Sequence, residues 1–238
     1  MIIPVLDEGG IIADQLAALR ALEDGPRCEV LVVDGDPAGT TLREIHAPDV
    51  RGLVAPRGRG SQMNAGARES QGDILLFLHA DTTLPARAFP RIRETLASGE
   101  RRCGAFGLRI DSPRRSYRLA GRIASLRSRL TREPYGNQGL FLAREHFFAA
   151  GGFRPLPVLE DVEFVRRFKR SGGRVAVLPE TATSSDRRLA REGLLYDVLR
   201  NTALRALYAA GVAPESLGRF YPACPTPRDR PPPGARTC

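Results

Sequence analysis

Lysine is almost missing from this 238-residue chain: Lys169 is the single lysine among 36 basic residues, and the rest are arginine. Aromatic residues make up only 6% of the sequence. A nucleic-acid-binding surface draws on clustered lysines and stacking aromatics, so both shortages argue against one. Cysteine is scarce as well. Cys28, Cys103, Cys224 and Cys238 lie far apart with no paired spacing, which excludes a zinc motif or a disulfide framework and points to a reducing compartment. No apolar run approaches the roughly 18 residues of a membrane span. The start MIIPVLDEGG has no basic segment followed by a long apolar one, so no secretory signal is expected. The expected location is cytoplasmic, with peripheral contact at the inner face of the membrane left open.

Hydrophobic residues at 42% and charged residues at 26% describe a soluble globular chain. A chain of this length buries about 70% of its surface on folding and needs no covalent staple. One α/β domain over residues 1–222 is expected, divided into halves of about 1–100 and 101–222. The net charge is +9. Such an excess suits an anionic partner such as nucleic acid, lipid headgroup or phosphorylated substrate, although a compositional bias toward arginine would produce it without function.

Short apolar runs alternate with helical patterns in the first half, the mark of strand–helix units and a mostly parallel sheet. Residues 2–5, 29–33, 51–54 and 74–78 read as strands, with helical spacing at Ile12, Leu16, Leu19 and Leu22 and a helix over 61–70. In such sheets ligands bind outside the carboxyl ends of the strands, where Asp7, Asp34 and Asp81 fall. Further strands are expected over 103–110, 139–142 and 175–178, and helices over 116–130, 144–150, 160–170 and about 191–210. Six prolines crowd the last 17 residues, so 223–238 read as a disordered tail.

Several constellations carry chemistry. Asp34 can accept hydrogen bonds from a base or ribose, and Asp81 can bind a hard divalent cation; Asp at a strand end also serves simply to cap the next turn. The segment PRGRGSQMNAG combines Arg57 and Arg59 with glycines at a helix start, an arrangement that suits phosphate and equally suits an ordinary loop. In VLEDVEF, Glu160 and Asp161 open a helix. Acids there are stabilised by the helix dipole, and one of them could also take a proton from a hydroxyl. The 116–130 helix places Leu119, Ile123, Leu126 and Leu130 on one face among Arg118, Arg122, Arg127 and Arg129. Core packing with a solvated arginine face is the commoner arrangement, and lying on a membrane is the other. Thr183–Arg188 offers hydroxyls and guanidinium groups, either to close over a diphosphate or as a plain loop into the last helix.

In order, IPVLDE, VVDGDPAGT, RGRGSQMNAGA, DILLFLHADTTLP, YGNQGLFLAREHF, GGF, LEDVEFVRRFKRSG and TSSDRR resemble the inverting family 2 glycosyltransferases of GT-A fold. Within them the pattern is similar to a small soluble bacterial subgroup labelled as associated with arsenosugar biosynthesis. The resemblance covers about residues 1–222. It implies a nucleotide-sugar donor, UDP- or GDP-linked, contacted by Pro4, Val5, Leu6, Glu8 and Asp34, with Arg59, Asn64, His79, Ala80 and Asp81 on the same side. Asp81 takes the place of the last acid of the metal motif, so a manganese or magnesium ion is implied there; His79 stands where the family usually has the first acid. Asp161 matches the general base, with Glu160 beside it. Gly136, Asn137 and Gln138 match the acceptor-side segment, which commonly reads Gly-Asp-Gln, and Arg187 and Arg188 join that side. The implied acceptor is a small molecule or a lipid-linked hydroxyl.

Other readings remain at this point. A nucleotidyltransferase on a related sheet would carry a glycine-rich basic signature near the first strand, which is missing. A silent nucleotide-sugar sensor would not need Glu160–Asp161. A nucleic-acid-binding module would need the lysines that are absent.

Overall fold

The computed structural model describes residues 1–97 and 102–221; the tail at 223–238 lies outside them. Its strands are β1 (Ile2–Val5), β2 (Val30–Asp34), β3 (Val50–Val54), β4 (Ile74–Phe77), β5 (Thr82–Thr83), β6 (Arg102–Asp111), β7 (Leu140–Ala143) and β8 (Arg174–Ser185). They form one sheet in the order β3-β2-β1-β4-β7-β6-β8-β5. The β3–β2, β2–β1, β1–β4 and β6–β8 pairs are parallel, while β7 runs against β4 and β6, and β5 against β8. The sheet is therefore mostly parallel and becomes mixed in the second half.

The apolar runs of β1, β2 and β4 split between the two faces with period two. Ile3, Val5, Val32, Leu76 and Leu78 pack under α1 (Gly9–Arg20), and Ile2, Val33, Leu75 and Phe77 under α2 (Arg59–Glu69). Burial on both faces is why these strands read as continuous apolar runs. Pro4 has a positional meaning. In β1 the odd residues face β2, since Val5 O accepts from Gly35 N and Met1 O from Leu31 N, while Ile2 O accepts from Leu78 N. Pro4 therefore turns its missing N–H toward β4. The β1–β4 pairing holds only Ile2 against Phe77, so the two strands part beyond it and open a crevice at their carboxyl ends.

The remaining helices are α3 (Ala88–Leu96), α4 (Arg115–Thr131), α5 (Arg144–Ala149), α6 (Glu160–Arg170), α7 (Arg187–Glu192), α8 (Leu194–Ala209) and α9 (Pro214–Leu217). The scarce aromatics are concentrated where they hold α6 against the sheet. Phe77 at the end of β4, Phe147 of α5, Phe153, and Phe164 and Phe168 of α6 form a chain of ring contacts with centroids 4.9–6.0 Å apart. Each such pair contributes about 0.5–1.5 kcal/mol beyond burial.

Three expectations are corrected, and one helix is added. The helix read over 191–210 is two helices, broken at Gly193, whose φ of +85° is left-handed. The strand read at 175–178 extends through Ser185 because ETATSS continues along β6 and pairs with β5; its half-exposed polar face hides the pattern. The helix α3 escaped the reading, with Pro90 in its first turn, where a missing N–H costs nothing. The stripe of α4 does not pack on the core: Leu119, Ile123, Leu126 and Leu130 are 57–76% exposed.

Candidate active site

The crevice between β1 and β4 collects residues from the whole chain. Asp7, at φ +55°, turns the backbone sharply after β1. Glu8 beyond it pairs with Arg187 NH2 at 3.2 Å, and the same guanidinium nitrogen lies 3.9 Å from Asp81 Oδ2. Arg187 thus joins the loops after β1 and β4 to the start of α7, across 179 residues of sequence. Burial pushes the Glu8 carboxyl above its ordinary range despite the pull of Arg187, with Asp81 and Asp7 adding to the rise.

At the heart of the site, Asp161 Oδ1 accepts from Val162 N at 2.7 Å and Oδ2 from Gly136 N. The residue before this pair, Leu159, is left-handed at φ +63°. A bulky side chain there costs about 1–3 kcal/mol and persists where packing overdetermines it; here it aims the first turn of α6 at the crevice. Glu160 is 3% exposed and pairs with Arg59 Nε at 2.8 Å. Burial, reinforced by Asp161, raises its carboxyl pKa against the pull of Arg59. Glu160 in turn raises the guanidinium of Arg59, which also meets the Tyr221 phenol. His79 packs against Gly136 opposite Asp161: a Cβ on Gly136 would fall 2.9 Å from His79 Nε2 and 3.2 Å from Asp161 Oδ2. Burial, then Arg59 and Arg188, lower the His79 pKa to about 3, so its imidazole is neutral.

Arg188 stacks on the Tyr221 ring at 4.0 Å and pairs with Glu192 and Asp197 at 3.3 and 3.8 Å, while Arg200 backs the same ring at 4.6 Å. Among the described residues, the buried polar atoms without a hydrogen-bond partner include Asp7 Oδ2, Asn137 Oδ1 and Arg188 NH2. Such atoms are rare because each carries a desolvation cost. The two acceptors suit hydroxyl donors of a polar ligand, and the guanidinium suits an anionic group.

Other expected residues hold the fold around the crevice. Asp34 is fully buried, with Oδ1 taking Asp36 N and Oδ2 taking Thr41 N, both at 2.9 Å; it organises the loop after β2. Asn64 clamps both backbone groups of Phe153, donating to its O at 2.7 Å and accepting from its N at 2.9 Å. Gln138 is buried and bonds Ser128, Tyr135 N and Phe106 O. Pro4, Val5 and Ala80 are buried and Leu6 half-buried; they shape the crevice rather than offering side chains to it. The sequence reading missed Gln62, whose Nε2 ties Val5 O and Val33 O at 2.7 and 2.8 Å, and it missed Tyr221. Gln62 lies in the glycine-rich segment PRGRGSQMNAG; Tyr221 carries no motif.

A divalent cation fits this donor set in part. Asp81 offers a partly exposed carboxylate and His79 a neutral nitrogen, the ligand form of imidazole. Among the described residues no group of three or more His, Cys, Asp or Glu side chains could hold a metal. The remaining ligands would have to come from a substrate diphosphate, as magnesium and manganese commonly accept.

This arrangement is a GT-A-like one: an α/β sheet with acidic strand ends facing an acid-led helix. The family described as Glycosyl transferase family 2 matches residues 1–157, and the chain belongs to that family, which places it among the enzymes that transfer sugars. The match ends before Glu160 and Asp161. No curated protein sequence matches the chain. Among solved structures, the mannosyltransferase PcManGT from Pyrobaculum calidifontis, in complex with GDP-Man and Mn2+, is similar with a TM-score of 0.65 at 18% identity, over 92% of this chain and 67% of that one. TarS 1–349 of S. aureus with UDP-GlcNAc gives 0.60 at 16%, covering 91% and 68%. GalNAc-T7 with UDP, GalNAc and Mn2+ gives 0.58 at 13%, covering 77% and 43%.

Proposed function

We propose that the chain is an inverting glycosyltransferase that moves a sugar from a UDP- or GDP-linked donor to a hydroxyl, with Asp161 as general base. The observation that carries this reading is the meeting of Asp161, neutral His79 and the Arg59–Glu160 pair around Gly136, facing Arg187, Glu8 and Asp81 across the crevice. Family 2 membership supports it, as do the folds of nucleotide-sugar enzymes bound to GDP-Man and UDP-GlcNAc.

The acceptor hydroxyl gives its proton to a carboxylate oxygen of Asp161 as its own oxygen attacks the anomeric carbon. The bond from that carbon to the diphosphate breaks, and the leaving diphosphate keeps the electron pair. The two N–H groups on Asp161 fix the carboxylate so that it needs no reorganisation. Arg59, Arg187 and Arg188 supply positive charge toward the diphosphate, and Asp81 would hold a manganese or magnesium ion that adds to it. Neutral His79 is free to hydrogen-bond the sugar. Direct displacement requires no covalent intermediate, which accords with a single carboxylate acting as base. On the eight motifs and their order, the finer reading is the subgroup labelled as associated with arsenosugar biosynthesis, working in the cytoplasm on a small-molecule or lipid-linked acceptor.

Titration calorimetry with GDP- and UDP-sugars, with and without manganese, tests the donor side. Binding by the wild type should strengthen with manganese, and Asp81→Ala should lose that dependence. Unchanged affinity and metal response in Asp81→Ala would remove Asp81 from the site.

A further inference from the structure

Helix α4 is built the wrong way round for a helix that covers a sheet. Its inward face is Tyr117, Gly121, Ser125 and Ser128, all buried. The small Gly121, Ser125 and Ser128 let the helix approach β6 closely: a Cβ on Gly121 would sit 3.0 Å from the Ile110 backbone nitrogen. Leu119, Ile123, Leu126 and Leu130, at 57, 60, 57 and 76% exposure, form the opposite face. A continuous apolar stripe aimed at water is costly, and it marks a surface that meets something apolar.

The surroundings of the stripe identify what it meets. The exposed Arg115, Arg118, Arg122 and Arg129 flank it, and α4 has no acidic residue. Arg115 and Arg122 make no hydrogen bond or ion pair among the described residues. A second helix repeats the theme. Leu195, Val198 and Leu199 of α8 are exposed while Arg200 and Leu204 face inward. The two helices are tied together: Ala124 shares a cluster with Leu194, the Tyr135 ring is flanked by Arg127 at 4.0 Å and Arg205 at 5.2 Å, and Tyr117 donates at 3.2 Å to Leu189 O of α7, which leads into α8.

We propose that the α4–α8 surface docks on an anionic lipid bilayer, the leucine and isoleucine side chains entering the headgroup–acyl boundary and the flanking arginines reaching lipid phosphates. A second copy of the chain is a poorer occupant, because pairing α4 on α4 would bring the arginines of both copies together with no carboxylate on either helix. Tyr135 precedes Gly136, whose N–H holds Asp161, so docking would set the acceptor side of the crevice near the lipid surface. The proposal concerns binding alone and stands whether or not the transfer reaction is as described above.

The test is flotation of the full chain with vesicles of phosphatidylcholine alone and of equal parts phosphatidylcholine and phosphatidylglycerol. The wild type should bind the anionic vesicles about tenfold or more tightly than the neutral ones. Ile123→Ser with Leu126→Ser should lose binding to both, and Arg115→Gln with Arg122→Gln should lose the preference for anionic lipid by about tenfold. All four positions are exposed, so melting temperature should hold and confirm folding. No binding by the wild type to anionic vesicles, or equal binding by both double variants, would overturn the proposal. So would a dimer, seen by sedimentation, that the Ile123→Ser/Leu126→Ser chain loses, since the stripe would then join two copies.

Discussion

Gly136→Ala is a one-carbon probe of the catalytic geometry. Gly136 is not among the residues of positive φ, so alanine meets no backbone strain. Its Cβ would nevertheless stand 2.9 Å from His79 Nε2 and 3.2 Å from Asp161 Oδ2, against 3.4 Å for ordinary contact. The imidazole must therefore retreat by about 0.5 Å and the carboxylate by about 0.2 Å. Overpacking of this kind costs about 1–3 kcal/mol, and the stiffer unfolded chain returns about 0.4–1. A net loss of about 1–2 kcal/mol is expected, a fall of roughly 2–8 °C in Tm for a chain of this size. The effect on rate should be larger than the effect on stability. A misplacement of about 1 Å costs about 10²-fold in rate, so retreats of about 0.5 Å at His79 and about 0.2 Å at the base should together lower transfer about tenfold. Initial rates at saturating donor, with donor affinity by calorimetry and Tm in parallel, separate the two. Transfer within twofold of wild type, with Tm unchanged, would show that His79, Gly136 and Asp161 are not packed as described.

Gln62→Leu removes the side-chain amide shared by the ends of β1 and β2; unfolding in urea should show a loss of about 1–3 kcal/mol, and a midpoint equal to wild type would show that the strand ends are held by other means. His79 supplies a pH signature. Its folded pKa near 3 lies below the ordinary 6.5, so its contribution to stability is complete above about pH 6.5 and is lost as pH falls toward about 3. His79→Gln should therefore lose less stability than wild type between about pH 6.5 and pH 4 in urea midpoints, and parallel curves would place His79 in solvent.

The strand ends were legible in the sequence because strands buried on both faces write continuous apolar runs, and Asp34 and Asp81 interrupt those runs where the chain leaves the sheet. Helix α6 was legible to the residue: Glu160 to Arg170 opens on acids and closes on bases, and the helix dipole selects that order. The direction of the α4 stripe was not legible. Amphipathic spacing defines two faces, and only the small residues opposite the stripe, read against β6, say which one turns inward. Asn64 and Gln138 looked like ligand-facing amides because motif order carries no information about distant backbone partners. Phe153 lies 89 residues from Asn64, and Phe106 lies 32 from Gln138. The closing of Tyr221 over Arg188 and Arg200 depends on the path of the chain after α8, which no local pattern records.

In the proposed reaction Asp161 acts in the chemical step and does not hold the donor. Asp161→Asn preserves shape but has a single acceptor oxygen, so it can accept from only one of Val162 N and Gly136 N, and it cannot take the acceptor proton. Single-turnover transfer, measured beside donor affinity and Tm, should fall by about 10² to 10⁴ with affinity near wild type and Tm lower by only a few degrees, about 2–4 °C per kcal/mol for the one N–H bond lost. Transfer within a few-fold of wild type would make Asp161 the opening residue of α6 and nothing more.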